Sequence, residues 1–131
     1  RQILASIAGA YGDDKVVEFY GASSPKHTEI ATDRFINDPT CRFIVSNQQT
    51  GAFGNTWNSA STVIYYSNSF DLELREQSEH RCHGIGQRNN VVYIDLLTPG
   101  TVDEKIIRAL RAKIDISTIV NGDQYREWLL P

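Results

Sequence analysis

Hydrophobic positions along the chain change their period several times. Residues 2–10, QILASIAGA, are apolar at helix-compatible spacing and stop at Tyr11-Gly12, a helix-end signal. KVVEFYG, residues 15–21, reads as a short strand closed by Gly21. Ser24-Pro25 then opens a helix with its proline in the first turn, and Ile30, Ala31, Arg34 and Phe35 carry it to Asn37-Asp38-Pro39. CRFIVSN, residues 41–47, is an apolar run of the length of a buried parallel strand. STVIYYSNS, residues 61–69, is a third strand, rich in β-branched and aromatic residues. Residues 71–83 are helical in pattern, with Asn68 or Ser69 as the expected N-cap. VVYIDLL, residues 91–97, makes a fourth strand. A long helix follows from Thr101 to about Ile116, opened by the capping-box pattern Thr101-Val102-Asp103-Glu104. The tail, residues 121–131, ends in a short amphipathic piece.

Strands alternating with helices in this order predict an α/β fold on a parallel sheet. No internal repeat, linker or low-complexity segment interrupts it. The chain opens on a helix, which in such folds follows a strand; that first strand is expected upstream of Arg1, and its loss would leave a sheet edge open. At 131 residues the length suits one domain. The net charge of −3 excludes a global positive field of the kind that advertises nucleic-acid binding, although a local basic face survives such averaging. Cys41 and Cys82 have neither disulfide-like nor zinc-like spacing, as expected in a reducing compartment. No apolar run approaches the ~20 residues of a membrane span, and no signal peptide opens the chain. With no initial Met, the sequence is expected to be a soluble, cytoplasmic piece of a larger protein with no membrane partner.

Candidate chemistry concentrates in EQSEHRCHGIGQ, residues 76–87. His80, Cys82 and His83 are metal-ligand types, and Cys41 could join them. On a helix Cys82 points away from the face that His80 and His83 share, and no second ligand pair exists, so no metal is expected. Gly84-Ile85-Gly86 lacks a third glycine and follows a helix, whereas a dinucleotide loop follows a strand. The chain has no G-x-x-x-x-G-K-[ST] phosphate loop and no G-x-S-x-G elbow. Cys82 and His83 diverge by about 100° on a helix, too far to share a proton.

Taken together, TGAFGNTWNSASTVIYYSNSFDLELREQSEHRCHGIGQ and VVYIDLLTPGTVDEKIIRALRAKIDI resemble the C-terminal RecA-like lobe of superfamily 2 helicases. Within them the resemblance is greatest to SWI/SNF-type DNA translocases, particularly phage-encoded DEAD-like helicases, and it covers about residues 15–120. It implies a three-layer, P-loop-NTPase-type parallel-sheet lobe. The family's glycine-bearing loop, G-G-x-G-L-N-L, matches at Gly51 and Gly54; Asn55 and Trp57 stand for leucines and Thr56 for asparagine. Such a loop needs backbone that can approach a phosphate and a ribose closely. The resemblance therefore implies that Gly51, Gly54 and Asn55 contact the nucleotide.

The family's Q-x-x-D-R-x-H-R-I-G-Q motif matches at Gln77, Arg81, His83, Ile85, Gly86 and Gln87. By resemblance, Gln77 and Arg81 bind the nucleotide and serve catalysis, sharing one helix face toward the γ-phosphate of ATP held by a counterpart lobe. Gly84 departs from the pattern, because the family has an arginine finger there, an element that can be worth ~10³–10⁵ in rate. His80 likewise replaces an acidic residue. Arg88 is a candidate stand-in whose simpler reading is a solvated charge. Gly21, Ser23, Asn47, Gln48 and Thr50 would line the track of one DNA strand, touching phosphates without reading sequence. Lys105, Arg108, Arg111 and Lys113, mixed with acidic neighbours, read as a solvated face.

The implied function is the second motor lobe of an ATP-dependent DNA helicase or translocase. Its partners are the N-terminal RecA-like lobe and DNA. ATP and Mg2+ are held mainly by that other lobe, and the isolated chain is expected to be inactive. The rival is a degenerate lobe that binds nucleic acid or protein and hydrolyses nothing, which Gly84, Asn55 and Trp57 favour.

Overall fold

The computed structural model describes residues 1–53 and 56–112. Its fold class is the expected one: an α/β chain whose strands pair in parallel. Helix α1 (Gln2–Tyr11) buries a half-covered stripe of Ile3, Leu4, Ile7 and Ala8. It ends at Gly12, whose φ of 108° favours glycine and whose N–H reaches the Ala8 carbonyl at 2.8 Å. Strand β1 (Val16–Phe19) follows, with Val16, Val17 and Phe19 buried. Helix α2 (Pro25–Asn37) starts where the sequence indicates. Ser24 Oγ accepts the His27 N–H at 3.3 Å, Pro25 sits in the first turn, and Thr28, Ala31, Thr32 and Phe35 form the inward stripe. Strand β2 (Phe43–Ser46) pairs with β1 in register Val16↔Phe43.

The second half repeats the pattern. Strand β3 (Thr62–Tyr65) pairs in parallel with β4 (Val92–Asp95), and helix α3 (Leu72–His80) connects them. Helix α4 spans Val102–Arg111 and is capped by Thr101, whose Oγ1 accepts the Asp103 N–H at 3.3 Å. Ile106, Ile107 and Leu110 of α4 pack on Phe70 and Leu72. The expected extension toward Ile116 and the amphipathic tail lie outside the described residues.

Three expectations change. The strands are four residues long and form two two-stranded ribbons rather than one sheet among the described residues. What joins the ribbons is side-chain packing: Phe19, Trp57 and Cys82 make one buried cluster against Ile44, Val63 and Val91. The N-cap of α3 is Asp71, which accepts the Leu74 N–H at 2.9 Å, because Asn68 is engaged elsewhere and Ser69 Oγ accepts the Asp71 N–H. Finally, α3 stops at His80 rather than residue 83. The N–H groups of Cys82 and His83 both turn back on the Glu79 carbonyl, and Cys82 leaves the helix to enter the core.

One ion pair fastens α3 to the sheet ends. Arg75 is buried on the face of Tyr65, its guanidinium carbon 3.6 Å from the ring centre. It donates to Asp95 at 2.6 Å, to Glu79 at 2.7 Å and to Asn68 at 2.8 Å. Burial works against both charges, but the bonds outweigh it: the Arg75 pKa lies above and the Asp95 pKa below the usual range. Removing Asp95 would leave the buried Arg75 guanidinium with only the more exposed Glu79 as carboxylate partner. Asp95→Ala should therefore cost about 3 kcal/mol, read as a lower urea midpoint at unchanged slope. A carboxylate with a depressed pKa stabilises the fold above its unfolded value near ~3.9. In the parent this contribution is lost as pH falls through the lower folded value, and in Asp95→Ala that segment of the acid profile should be missing.

Candidate functional site

Parallel strands bring their carboxyl ends to one rim, the place where open α/β sheets bind ligands. Here the rim is a continuous polar seam. Gly21, just past β1, lies against Thr50, just past β2; a Cβ on Gly21 would sit 3.5 Å from Thr50 Cγ2. The Gln48–Phe53 turn is preceded by Asn47, whose Oδ1 accepts the Thr50 N–H at 3.0 Å. Gln48 Nε2 donates to Asn68 Oδ1 beyond β3 at 3.2 Å, and Asn68 Nδ2 donates to Asp95 at the end of β4 at 3.0 Å. Side-chain hydrogen bonds thus run from the exit of β2 to the end of β4, with Gly21 beyond β1 close beside Thr50.

Arg81 enters this seam from behind. It is only 6% exposed. One terminal nitrogen donates to the Gln48 carbonyl at 3.2 Å, and the guanidinium lies 5.1 Å from the Trp57 ring centre. Arg81 has no carboxylate partner among the described residues, and desolvation holds its pKa below the usual arginine value. Among the described residues, Arg81 Nε, Trp57 Nε1 and Thr50 Oγ1 are buried polar atoms without a hydrogen-bond partner. Buried donors without acceptors are uncommon, and each leaves a desolvation cost unanswered. A phosphate oxygen is the kind of acceptor that such donors fit.

The turn after Arg81 is clamped. Gln87 Nε2 donates to the carbonyls of Ala60 and Cys82, both at 2.8 Å, and Asn58 Nδ2 donates to the Ile85 carbonyl at 2.6 Å. Gly86 has a φ of 98°, a left-handed backbone that suits glycine. Ile85 is fully exposed, and Arg88 is exposed as well. At Gly84 a Cβ would meet the His80 carbonyl at 3.3 Å, a tight approach that a shift of a few tenths of an ångström relieves.

The expected nucleic-acid residues are mostly assembled. Gly21, Asn47, Gln48 and Thr50 share the seam, while Ser23 caps a neighbouring turn through its N–H to Tyr20 at 3.0 Å. The expected catalytic pair is not presented together. Gln77 is exposed on α3 and its amide donates to Glu73 at 3.0 Å, whereas Arg81 turns inward to the indole face and the Gln48 carbonyl. Gly51 lies in the Gln48–Phe53 turn; Gly54 and Asn55 lie outside the described residues. Cys82 is buried, burial pushes its thiol pKa up against the opposing pull of Arg81, and His83 is exposed. No group of His, Cys, Asp and Glu among the described residues could hold a metal. Sequence reasoning missed Trp57, Asn68, Arg75 and Asp95 as site-building residues. Asp95 at the end of an otherwise apolar strand, and the Arg75–Glu79 spacing of four, were the available signals.

The chain is similar in sequence and in fold to known proteins. The chain is 30% identical over 118 residues to Helicase SWR1 of Gibberella zeae, covering 90% of the chain and 7% of that protein. It is 30% identical over 110 residues to Helicase swr1 of Schizosaccharomyces pombe, covering 82% of the chain and 8% of that protein. The chain therefore spans less than a tenth of these curated relatives. No family model matches it. Among solved structures, the C-terminal part of the Fun30 ATPase domain superposes with a TM-score of 0.73 at 25% identity, over 82% of this chain and 34% of that one. The SWI2/SNF2 ATPase core domain of Sulfolobus solfataricus gives 0.63 at 26% identity, over 87% of this chain and 25% of that one. By sequence and by fold the chain is homologous to the C-terminal lobe of SWI2/SNF2-type ATPases, and the parallel-strand class is that of their RecA-like lobes.

Tyr65 gives the site a measurable signature. Its hydroxyl lies 2.7 Å from Ser78 Oγ. Burial pushes its pKa up to about 12, with the Ser78 bond and the Arg75 charge opposing. A raised pKa means stability that is intact below the unfolded tyrosine value of about 10 and is lost as pH climbs toward the folded value. Urea midpoints should fall across that interval and fall less in Tyr65→Phe, and tyrosinate absorbance should show a late-titrating group that this variant lacks.

Proposed function

We propose that the chain works as the second motor lobe of an ATP-dependent DNA helicase or translocase. The observation that carries this is the similarity in sequence and fold to the C-terminal lobes of SWI2/SNF2-type ATPases across most of the chain. The polar rim supports it further: Thr50, Trp57 and Arg81 offer unsatisfied buried groups where an anionic ligand would supply acceptors. In this reading ATP, with Mg2+, supplies the phosphoryl group whose transfer drives movement, and the other lobe carries most of the phosphate grip.

The contribution of this chain would be local. Arg81 would turn its guanidinium toward the γ-phosphate region, and Gln77 would exchange its bond to Glu73 for one across the cleft. Gly51, Gly54 and Asn55 would let the backbone approach the nucleotide. Gly21, Ser23, Asn47, Gln48 and Thr50 would touch one DNA strand through amides, hydroxyls and main-chain N–H groups, so that contact is sequence-tolerant and weakens with salt. The N-terminal RecA-like lobe of a larger protein is the required partner. A cytoplasmic setting and kinship to phage-encoded members belong to the same proposal and rest on the motif pattern and the cysteine usage alone.

A second reading is favoured by Gly84, which offers no charge where the family has an arginine: a lobe that binds but does not support hydrolysis. One substitution separates the two. In the full-length protein, Gly84→Arg should raise DNA-stimulated ATPase by at least about 10²-fold if the lobe belongs to a damaged motor, and Arg81→Ala should abolish what remains. No change in either variant establishes the binding-only lobe. The isolated chain should show no ATP turnover; clear turnover by the purified chain overturns the motor-lobe assignment.

A further inference from the structure

We propose that Trp57 is the positioning residue of Arg81: its indole stows the guanidinium inside the lobe and sets how readily that group is released. The contrast between two arginines carries the inference. Arg75 is buried with Asp95 and Glu79 as carboxylate partners, so its position is locked by charge. Arg81, six residues later, is equally buried but has no carboxylate among the described residues. Among those residues it is held by one backbone carbonyl and one aromatic face, and its Nε has no acceptor. An arginine kept inside only for the sake of the fold normally has its charge answered by a carboxylate. This one is held by contacts that an anion can displace.

The holding surface is itself rigidly placed. The Trp57 ring meets Phe19 of β1 edge-on, with ring centres 5.3 Å apart and an interplanar angle of 82°. The Trp57 N–H donates to the Arg81 carbonyl at 2.7 Å, so the two backbones are tied and the indole is registered over the guanidinium. A leucine, which the resembled motif has at this place, offers no π face to a cation. Tryptophan at position 57 thus makes Arg81 conditional: the group stays inside until an acceptor better than a ring and a single carbonyl is present.

The role assigned to Trp57 stands on contacts within the chain; only the identity of the displacing anion rests on the motor-lobe reading. Arginine labelling with phenylglyoxal, mapped by mass spectrometry on the whole chain, tests both. In the parent chain Arg81 should label far more slowly than exposed Arg88. In Trp57→Leu it should label at least about fivefold faster, a factor at the weaker end of what a cation–π contact carries, while Arg75 stays protected. Trp57→Phe, which keeps a ring, should keep Arg81 slow. The proposal is overturned if Arg81 labels like Arg88 in the parent, or if leucine leaves its rate unchanged. It is equally overturned if phenylalanine behaves like leucine, or if Arg75 opens together with Arg81, since Trp57 would then be holding the fold. Inorganic tripolyphosphate should protect Arg81 at lower concentration in Trp57→Leu than in the parent. Absence of tripolyphosphate protection in every variant, with the labelling pattern otherwise as expected, would retain the stowing role and count against a phosphate-binding Arg81.

Discussion

The pairing of Arg75 with Asp95 is the interaction around which the second half of the molecule is arranged. Asp95 ends β4, Arg75 comes from the first turns of α3, and the guanidinium lies across Tyr65 at the end of β3. Two strand ends and a helix are thereby fixed relative to one another at a single buried point. Asn68 extends the arrangement to Gln48, which reaches the exit of β2, and Arg111 brings α4 within 3.7 Å of the same carboxylate. Four-residue strands have few ladder bonds to specify their relative position, so polar contacts at the rim supply that specification.

The two arginines of this region illustrate how burial alone says little about role. Both are almost wholly covered, and both lie against an aromatic ring. The difference is in the partners, and it appears in opposite directions of pKa displacement: bonds to carboxylates raise that of Arg75, while desolvation without an answering charge lowers that of Arg81. The first arrangement is a structural tie. The second keeps a charge where its solvation is poor and its bonding incomplete, which leaves it able to take an anionic partner.

Much of the architecture was legible because short-range chemistry wrote it plainly. Ser24-Pro25 and Thr101 mark helix starts by capping, Gly12 marks a helix end, and CRFIVSN has the apolar continuity of a parallel strand, although Phe43–Ser46 are only half-buried. The N-cap of α3 and its end at His80 were not legible. Asn68 is as good a cap as Asp71 in isolation, and only the long-range bonds to Gln48, Arg75 and Asp95 take it away. Likewise helical periodicity continues through Cys82, but the demand of the core for a small buried side chain breaks the helix first. The motif order named Gly21, Asn47, Gln48 and Thr50, which the structure gathers at the rim. It could not show Arg81 folded onto Trp57, because that contact joins residues 24 positions apart whose meeting depends on the packed ribbons.

The clamp at Gln87 decides which side chain that position can carry. One amide nitrogen carries two hydrogens, and two main-chain carbonyls, of Ala60 and Cys82, consume both. Glutamate there would set lone pairs against lone pairs, and asparagine would fall short by a methylene. The identity of the residue is dictated by the backbone it staples, so a glutamine that a reader would assign to substrate recognition is, at this position, spoken for by the chain itself.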